Sequence, residues 1–382
     1  MTGYDPKARH DTPLARKLKD DIKQHGPIGV PAYMRACLMD PDHGYYRDNE
    51  AIGQGGDFIT APEISQVYGE LIGLWSVIVW KQMGAPAPFN LIEIGPGRGT
   101  LMSDALRAAG VAGDFLSAAD ICMVEINSTL RQVQEYTLQK ATDGCLTLRW
   151  FDCIEGLQQS DGKHKPVILI ANEFLDTLPP TQFVRCGSNW HWRQIGLDQN
   201  DGLQFCPSVE PIAPEFPELN EVLETVFPGA DVDTVVSRTS FNGLTDGILG
   251  WDNVAALMID YGDTSSMRGD GLQAVRNHTY EHPLTSPGEA DLSALVDFHE
   301  LEKSIQRTAK DRLAIDGPVI QAEFLGSLGM MERASHLMAR NPEKAAQIEA
   351  GVARLMSPQG MGTRFKAIGV RSKELPILPG FA

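Results

Sequence analysis

Residues 91–100, LIEIGPGRGT, constrain the fold of this chain more than any other stretch. Apolar residues flank Glu93, and glycines then occupy every second position, at Gly95, Gly97 and Gly99. Glycine costs backbone entropy and offers no side chain for packing, so its repetition indicates a sharp turn with a ligand against bare backbone. The helix that follows would present unpaired N–H groups and its positive dipole end to that ligand.

Strand and helix patterns alternate after this motif. Helices are predicted at 99–109 and 128–140, between apolar strands. The strands are predicted at 89–94, 121–126, 146–151, 166–172 and 254–262. This alternation predicts the α/β class, with a doubly wound, Rossmann-like and mainly parallel sheet covered by helices. Such a sheet binds ligands at the carboxyl ends of its strands.

Three parts are predicted along the chain. Residues 1–84 form an N-terminal helical segment, with two helices in 13–40 broken at Gly26-Pro27 and a longer helix over 62–83. Residues 85–264 form the core, interrupted at about 181–250 by a hairpin and a helical insertion. Residues 265–382 complete the sheet and its covering helices. In that last part, helices are predicted at 290–309, 319–338 and 342–356, a short strand lies in RLAIDGP, and a final strand covers 365–372.

The bulk composition excludes some functions. The 382 residues carry a formal net charge of −17, which argues against nucleic acid as the main partner. Six cysteines form no CxxC pair and the first thirty residues contain no apolar signal region, so a reduced, cytoplasmic setting is expected. The apolar stretch 71–80 is too short to span a bilayer, and we expect a buried helix without membrane insertion.

The glycine spacing distinguishes between nucleotide-type ligands. A dinucleotide loop reads GxGxxG, whereas here the glycines read GxGxG and Thr100 follows, and no GK[ST] completes a P-loop. ExGxGxG is the S-adenosylmethionine (SAM) pattern of class I methyltransferases. Glu93 would orient the loop or contact the methionine ammonium, Glu125 at the end of the next strand would accept the ribose hydroxyls, and Asp152 would accept the adenine amine. A plain strand–helix turn is the alternative.

A second polar group follows the strand at 166–172, in ANEFLDTLPP. This strand end faces the reacting methyl group in methyltransferases. The carboxylates of Glu173 and Asp176, beside Asn172, would suit a guanidinium, whose planar fork of donors binds carboxylates bidentately. Acidic residues at a helix start occur for dipole reasons alone, so both interpretations remain open here. His278 and His282, four residues apart, lie in a stretch that predicts a loop, and no metal site is expected.

Seven blocks of the sequence resemble the MidA family of SAM-dependent methyltransferases, from about residue 13 to 372. They are GDFITAPEISQVYGELIG (56–73), IEIGPGRGTLMSDALR (92–107), ANEFLDTLP (171–179), IDYGD (259–263), SPGEADLSALVDF (286–298), GPVIQAEFLGSLGM (317–330) and LMSPQGMGTRFKAI (355–368). The resemblance implies a class I methyltransferase fold in which Gly95, Gly97 and Gly99 line the SAM site and Glu125 binds the ribose. The first block would cover the active site, which makes Asp57, Thr60, Pro62 and Glu63 candidates for contact with cofactor or substrate.

The family's mitochondrial members act as arginine methyltransferases in complex I assembly. The resemblance therefore implies a protein arginine N-methyltransferase that modifies a complex I core subunit or its bacterial counterpart. Glu173 is the first candidate to hold the guanidinium, with Asp176 or Glu63 as a second carboxylate. A non-catalytic SAM-binding assembly factor and an NAD-dependent oxidoreductase are the alternatives, and a homodimer is left open.

Overall fold

The computed structural model describes residue 5 and residues 7–47, 59–142, 146–265, 269–309 and 311–381. The candidate Asp57 lies outside these residues. The helices are α1 (Pro13–His25), α2 (Val30–Met39), α3 (Ala61–Ile64), α4 (Gln66–Gln82), α5 (Thr100–Ala109), α6 (Gly113–Ala118), α7 (Ser128–Ala141), α8 (Ile154–Asp161), α9 (Pro217–Val226), α10 (Asn242–Leu249), α11 (Phe298–Ala309), α12 (Gln321–Ser327), α13 (Met330–Arg340) and α14 (Ala345–Met356).

The strands follow the predicted alternation in the core and add several short pairs outside it. They are β1 (Ile28–Gly29), β2 (Phe89–Ile94), β3 (Ala119–Val124), β4 (Leu148–Phe151), β5 (Val167–Asn172), β6 (Thr181–Cys186), β7 (Asn189–Leu197), β8 (Leu203–Pro207), β9 (Val235–Arg238), β10 (Val254–Asp263), β11 (Leu272–Arg276), β12 (Thr279–Glu281), β13 (Asp291–Ala294), β14 (Val296–Asp297), β15 (Leu313–Ile320) and β16 (Phe365–Ser372).

The central sheet has the order β15-β16-β10-β5-β2-β3-β4, and β14 adds to the end of β10. Strands β4, β3, β2, β5 and β10 are parallel, and β16 runs antiparallel to both of its neighbours. From β2 the chain proceeds outward through β3 to β4, and then returns to β5 on the other side of β2. This reversal places a ligand crevice above β2 and β5, and the predicted doubly wound, mainly parallel sheet is confirmed.

Helices cover both faces of this sheet. Every residue of β2 and of β5 is buried, which explains the apolar run VILIA at the start of β5. Helices α4, α5, α13 and α14 pack on one face, and α10 and α11 pack on the other. The apolar stretch 71–80 lies within α4 and packs into the first of these cores, as predicted. Among the described residues, no helix combines the length and apolarity needed to cross a bilayer.

The long helix predicted over 62–83 is wrong in one respect, because it is two helices. Ser65 has extended backbone angles, φ −155° and ψ 124°, which end α3, and its hydroxyl accepts the N–H of Val67 at the start of α4. The prediction of one helix over 319–338 is wrong for the same kind of reason. Gly329 has φ 88° and separates α12 from α13.

Two smaller sheets lie outside the core. The predicted hairpin is confirmed as β6 and β7, and β1, β8 and β9 extend it to five strands. A three-stranded sheet, β12-β11-β13, has a turn at Asn277 and His278. The loop predicted for the stretch from His278 to His282 is therefore right at the turn and wrong at 279–281, which form β12. The prediction of helix from residue 290 is wrong up to 297, because β13 pairs with β11 and β14 pairs with β10. Helices α1 and α2 pack on both small sheets.

Candidate active site

A cavity of about 1320 Å³ opens at the carboxyl ends of the parallel strands. Its wall takes residues from the ends of β2, β3, β4, β5 and β10, from α3, and from the segment that follows α14. The structure brings together here every predicted site residue of the described chain except Gly99. Those lining the cavity are Thr60, Pro62, Glu63, Glu93, Gly95, Gly97, Glu125, Asp152, Asn172, Glu173 and Asp176. Gly99 lies just behind them as the residue before α5.

The glycine loop requires glycine for conformation and for space. Gly95, Gly97 and Gly99 all have positive φ, at 63°, 54° and 80°. A Cβ on Gly95 would lie 3.0 Å from Cδ2 of Phe174, and the Gly95 N–H donates to the Val124 carbonyl at 3.0 Å. A larger residue at Gly95 is therefore both strained and crowded. The loop holds its backbone open to the cavity, as the spacing predicted.

Glu93 ends β2 as a buried carboxylate facing the cavity. It is 3% exposed, and its Oε2 has no hydrogen-bond partner within the described part of the chain. Burial raises the pKa of Glu93 from 4.5 to about 8. A buried carboxylate oxygen without a donor is costly, and a cationic group in the cavity would satisfy it.

Glu125 directly follows the neighbouring strand, β3, and its side chain is held in one orientation. Its Oε1 accepts the N–H of Asn127 at 2.8 Å, and its Oε2 accepts Nε2 of Gln134 at 3.2 Å. Burial raises the pKa of Glu125, although these hydrogen bonds oppose the shift. Two fixed oxygens beside the glycine loop form an acceptor pair suited to vicinal hydroxyls.

Gln134 of α7 connects these two parts of the site, and the sequence did not reveal it. Its amide nitrogen also donates to the Gly97 carbonyl at 2.8 Å, while its Oε1 accepts the indole N–H of Trp150 at 2.8 Å. The side chain is fully buried. A glutamine on an amphipathic helix gives no sign of this role, since its partners lie on β3, β4 and the glycine loop.

Asp152 follows β4 at the far end of the cavity. Its carboxylate pairs with Arg131, whose guanidinium also binds the Glu125 carbonyl. The Asp152 side chain is 81% exposed, in contrast to Glu93 and Glu125. Its position agrees with the expected placement, but the carboxylate is already engaged in an ion pair.

Helix α3 covers the cavity from the N-terminal side, held by two hydrogen bonds. Glu63 Oε1 accepts the hydroxyl of Thr100, the first residue of α5, at 2.6 Å. Glu173 Oε1 accepts the N–H of Ala61 at 2.7 Å. Thr60 and Pro62 line the cavity on either side of that contact. One end of α3 is thus joined to the start of α5, and the other to the residue that follows β5.

Glu173 follows β5 with an unusual backbone conformation. Its φ is 50°, which is strained for a non-glycine residue and indicates that the surroundings fix its position. Asn172 donates to Glu173 Oε1 at 3.3 Å and accepts the hydroxyl of Tyr68. Burial raises the pKa of Glu173 from 4.5 to about 7, with Arg354 acting in the opposite direction. This carboxyl therefore changes charge near neutral pH.

Three further carboxyls surround the same corner of the cavity. Asp176 Oδ1 is buried and lacks a hydrogen-bond partner among the described residues. Burial, followed by the nearby Asp260, Asp291 and Glu173, raises the pKa of Asp176 well above its usual range. Asp260 in β10 is fully buried and accepts the Asp176 N–H at 3.1 Å, and burial raises its pKa to about 8. Tyr46 donates to Asp291 at 3.3 Å. Negative charges this close repel one another, so the carboxyls favour their protonated forms unless a cation is bound beside them.

Asp260 and Asp291 were missed as members of the site. Asp260 interrupts the apolar run VAALMIDYG of β10. A carboxylate within a buried strand is rare unless it has a partner, so its presence indicates a special role. That interruption was the available signal. Asp291 had none, because the three-stranded sheet that places it was not predicted. No group of three or more metal-ligating side chains is assembled in the described ranges.

Comparison with known proteins identifies the family. A family model described as an S-adenosyl-L-methionine-dependent methyltransferase matches residues 71–318. The chain belongs to this MidA-like methyltransferase family. The chain is also 34% identical to the mitochondrial protein arginine methyltransferase NDUFAF7 of Rattus norvegicus, over 95% of this chain and 86% of that protein. NDUFAF7 of Homo sapiens is 33% identical, over 95% and 84% of the two chains.

A solved structure agrees with the fold. A COG1565 superfamily member from Burkholderia thailandensis, bound to S-adenosyl-homocysteine, is similar with a TM-score of 0.83 and 22% identity over 98% of each chain. The predicted fold, family, enzyme class and cofactor are therefore confirmed: this methyltransferase uses SAM. The chemistry of the cavity fits that cofactor, since it offers bare backbone at Gly95, a buried orphan oxygen on Glu93 and a fixed acceptor pair on Glu125.

Proposed function

We propose that this methyltransferase is a protein arginine N-methyltransferase, acting on a subunit of respiratory complex I or its bacterial counterpart during assembly. The observation that carries the proposal is the cluster of buried carboxyls at the ends of β5 and β10. Glu173 and Asp176 line the cavity and Asp260 lies behind them, with pKa values raised by burial. A bound cation would favour the charged forms of these carboxyls. The mitochondrial relatives named as arginine methyltransferases support the same substrate class.

The cofactor would lie along β2 and β3. Glu93 Oε2 would accept from the methionine ammonium, the backbone of Gly95 and Gly97 would border the cofactor, and Glu125 would bind the ribose hydroxyls. Asp152 stays our prediction for the adenine amine, and Thr60 and Pro62 for contacts from the cover. When bound, SAM supplies a methyl group already activated by its sulfonium. The protein therefore needs to position and desolvate rather than activate the donor.

The carboxyls would bind the substrate guanidinium and accept the proton that it loses. Arrival of the guanidinium favours the charged forms, so Glu173 and Asp176 release protons and bind its N–H groups. One guanidino nitrogen is left facing the donor. A C–N bond forms as the C–S bond breaks, and the proton leaving that nitrogen passes to a carboxylate of the pair. Since Glu63 Oε1 is engaged by Thr100, Asp176 is the better second carboxylate.

The test of this assignment is Glu173→Gln. The amide oxygen can still accept the Ala61 N–H, so α3 stays in place, but the charge is lost. We expect S-adenosyl-homocysteine affinity to stay within about twofold and methyl transfer to fall about 100-fold or more. Glu323→Gln, an exposed change on α12, is the matched control. Unchanged transfer by Glu173→Gln would rule out this role.

The substrate needs a separate experiment. Labelled SAM and the purified protein are incubated with a lysate from cells that lack it, and the labelled band is examined by mass spectrometry. We expect methylarginine on a complex I core subunit. Label on an arginine of another protein would support arginine methylation but contradict the complex I assignment. Label on lysine or on a small molecule would contradict the proposed substrate class. A protein that binds SAM but labels nothing would support the non-catalytic alternative.

A further inference from the structure

The sequence block LMSPQGMGTRFKAI (355–368) forms part of the cavity wall, and the proposed function assigns no role to its side chains. Residues 357–364 lie between α14 and β16, and Gln359, Gly360 and Met361 line the cavity. Arg354, in the last turn of α14, and Arg364, at the end of this segment, line the cavity too. We refer to residues 354–364 as the arginine loop.

The backbone of the arginine loop is held tightly. The N–H groups of Gly360 and Gly362 donate to the Ser357 carbonyl at 3.1 and 3.0 Å, and the Met361 N–H donates to the Arg354 carbonyl at 2.9 Å. A Cβ on Gly362 would lie 2.0 Å from the Met356 carbonyl oxygen, so only glycine fits there. Such a compact loop presents its side chains at fixed places.

Lys366 completes this support. Its ammonium donates to the carbonyls of Gly262, Thr363 and Arg364, at 3.1, 2.6 and 3.2 Å. These bonds attach the arginine loop to the end of β10, the strand that carries Asp260 of the carboxyl cluster. The lysine is used inside the protein, and the two arginines are the groups that the loop offers outward.

The guanidinium groups of Arg354 and Arg364 have no partner among the described residues. Neither guanidinium donates a hydrogen bond or forms an ion pair there, and both side chains are exposed. Arg354 is close enough to Glu173 to lower the pKa of that carboxyl. The cavity thus has carboxyls at depth and unpaired cations at its rim. A ligand that complements both must carry a cation and, beside it, an anion.

We infer that Arg354 and Arg364 determine specificity by binding an acidic side chain next to the target arginine in the protein substrate. The inference rests on the proposed arginine methyltransferase function and narrows its substrate class. The target guanidinium enters the carboxyl cluster while the neighbouring Asp or Glu meets the arginine loop, where a guanidinium can bind a carboxylate bidentately. An arginine in a purely basic segment would be repelled at the rim and is a poor substrate.

The test uses a peptide library with one central arginine and randomised flanking positions, incubated with the full-length protein and labelled SAM. We expect methylated peptides to be enriched in Asp and Glu near the arginine. Arg354→Gln/Arg364→Gln should remove that enrichment and lower kcat/KM on the best acidic peptide about tenfold or more. Arg340→Gln, an exposed change in the last turn of α13, is the matched control and should leave both unchanged.

Charge reversal separates recognition from a structural effect. Arg354→Glu/Arg364→Glu should shift the preference toward peptides with Lys near the target, while S-adenosyl-homocysteine affinity stays unchanged. If the unmodified protein methylates arginine peptides without acidic enrichment, or if the variants keep that enrichment, this inference is wrong and the proposed function stands. If no arginine in the library is methylated, the proposed function and this inference are both contradicted.

Discussion

The two halves of the cavity are built in opposite ways. The half that we propose to hold the cofactor (the cofactor half), along β2 and β3, consists of exposed backbone and a carboxylate fixed by hydrogen bonds, as at Gly95 and Glu125. The half that we propose to hold the substrate (the substrate half), along β5 and β10, consists of crowded carboxyls whose pKa values are raised. The cofactor half is arranged without a ligand. The substrate half would change charge as a cation binds, and this difference would let the protein hold the donor first and select a cation afterwards.

The largest effect should come from filling the cofactor half. Gly95→Val adds a branched side chain at φ 63°, against Phe174. We expect at least a 100-fold loss of S-adenosyl-homocysteine affinity, or about 2.7 kcal/mol, measured by calorimetry. Gly113→Val is the control, because a Cβ there meets nothing within 4 Å. Retained affinity in Gly95→Val would mean that the ligand does not lie against this loop.

The substrate half predicts a pH dependence. Below pH 7 Glu173 is mostly protonated, so a guanidinium must displace its proton to bind. We expect kcat/KM for an arginine substrate, at saturating SAM, to rise by up to about tenfold per pH unit below pH 7 and to level above pH 8. Arginine itself stays charged throughout, so the profile reports the protein's carboxyls. A flat profile from pH 6 to 9 would contradict a titrating substrate half.

A smaller effect is expected from loosening the fixed acceptor pair. Gln134→Ala removes the donor to Glu125 and to the Gly97 carbonyl, and leaves the Trp150 N–H without its acceptor. S-adenosyl-homocysteine affinity should fall about fivefold, corresponding to about 1 kcal/mol. Gln139→Ala, on the exposed face of α7, should change nothing. Equal affinities of the two variants would show that Glu125 needs no support.

The smallest expected effect is on the stability of the ligand-free protein, through Glu93. Glu93 has a pKa of about 8 when folded and about 4.5 when unfolded, so the folded state binds more protons between these values. The free energy of unfolding therefore falls as pH rises from about 4.5 to 8. Glu93→Gln removes this cost, and we expect Tm to rise by about 2–4 °C at pH 8.5 and to stay nearly unchanged at pH 4.5.

Glu135→Gln, an exposed change on α7, is the control for that experiment. The same Glu93→Gln variant should bind S-adenosyl-homocysteine less tightly, because the ammonium loses its charged partner. If the change in Tm caused by Glu93→Gln is the same at pH 4.5 and pH 8.5, Glu93 is charged in the folded protein over this range. It would then be a fixed acceptor like Glu125.

The cofactor half could be predicted from the sequence because its elements are close in the chain. The strand–glycine–helix pattern at 91–109 and the acid at the end of the next strand are periodic, local features. Parallel strands then bring their carboxyl ends to one edge whatever the rest of the chain does. Glu93, Glu125 and Glu173 reach the cavity for this reason. The breaks at Ser65 and Gly329 were missed because helical periodicity continues across them.

What only the tertiary structure decided is how distant segments complete the substrate half. Asp176 meets Asp260 across 84 residues of chain, Asp291 depends on a small sheet with no strong pattern, and the arginine loop reaches the cavity from the last strand. The sequence by itself determined a parallel sheet with a glycine-lined donor site, since both follow from local periodicity. The charge of the acceptor site depends on burial and on neighbours far along the chain, and these exist only after folding.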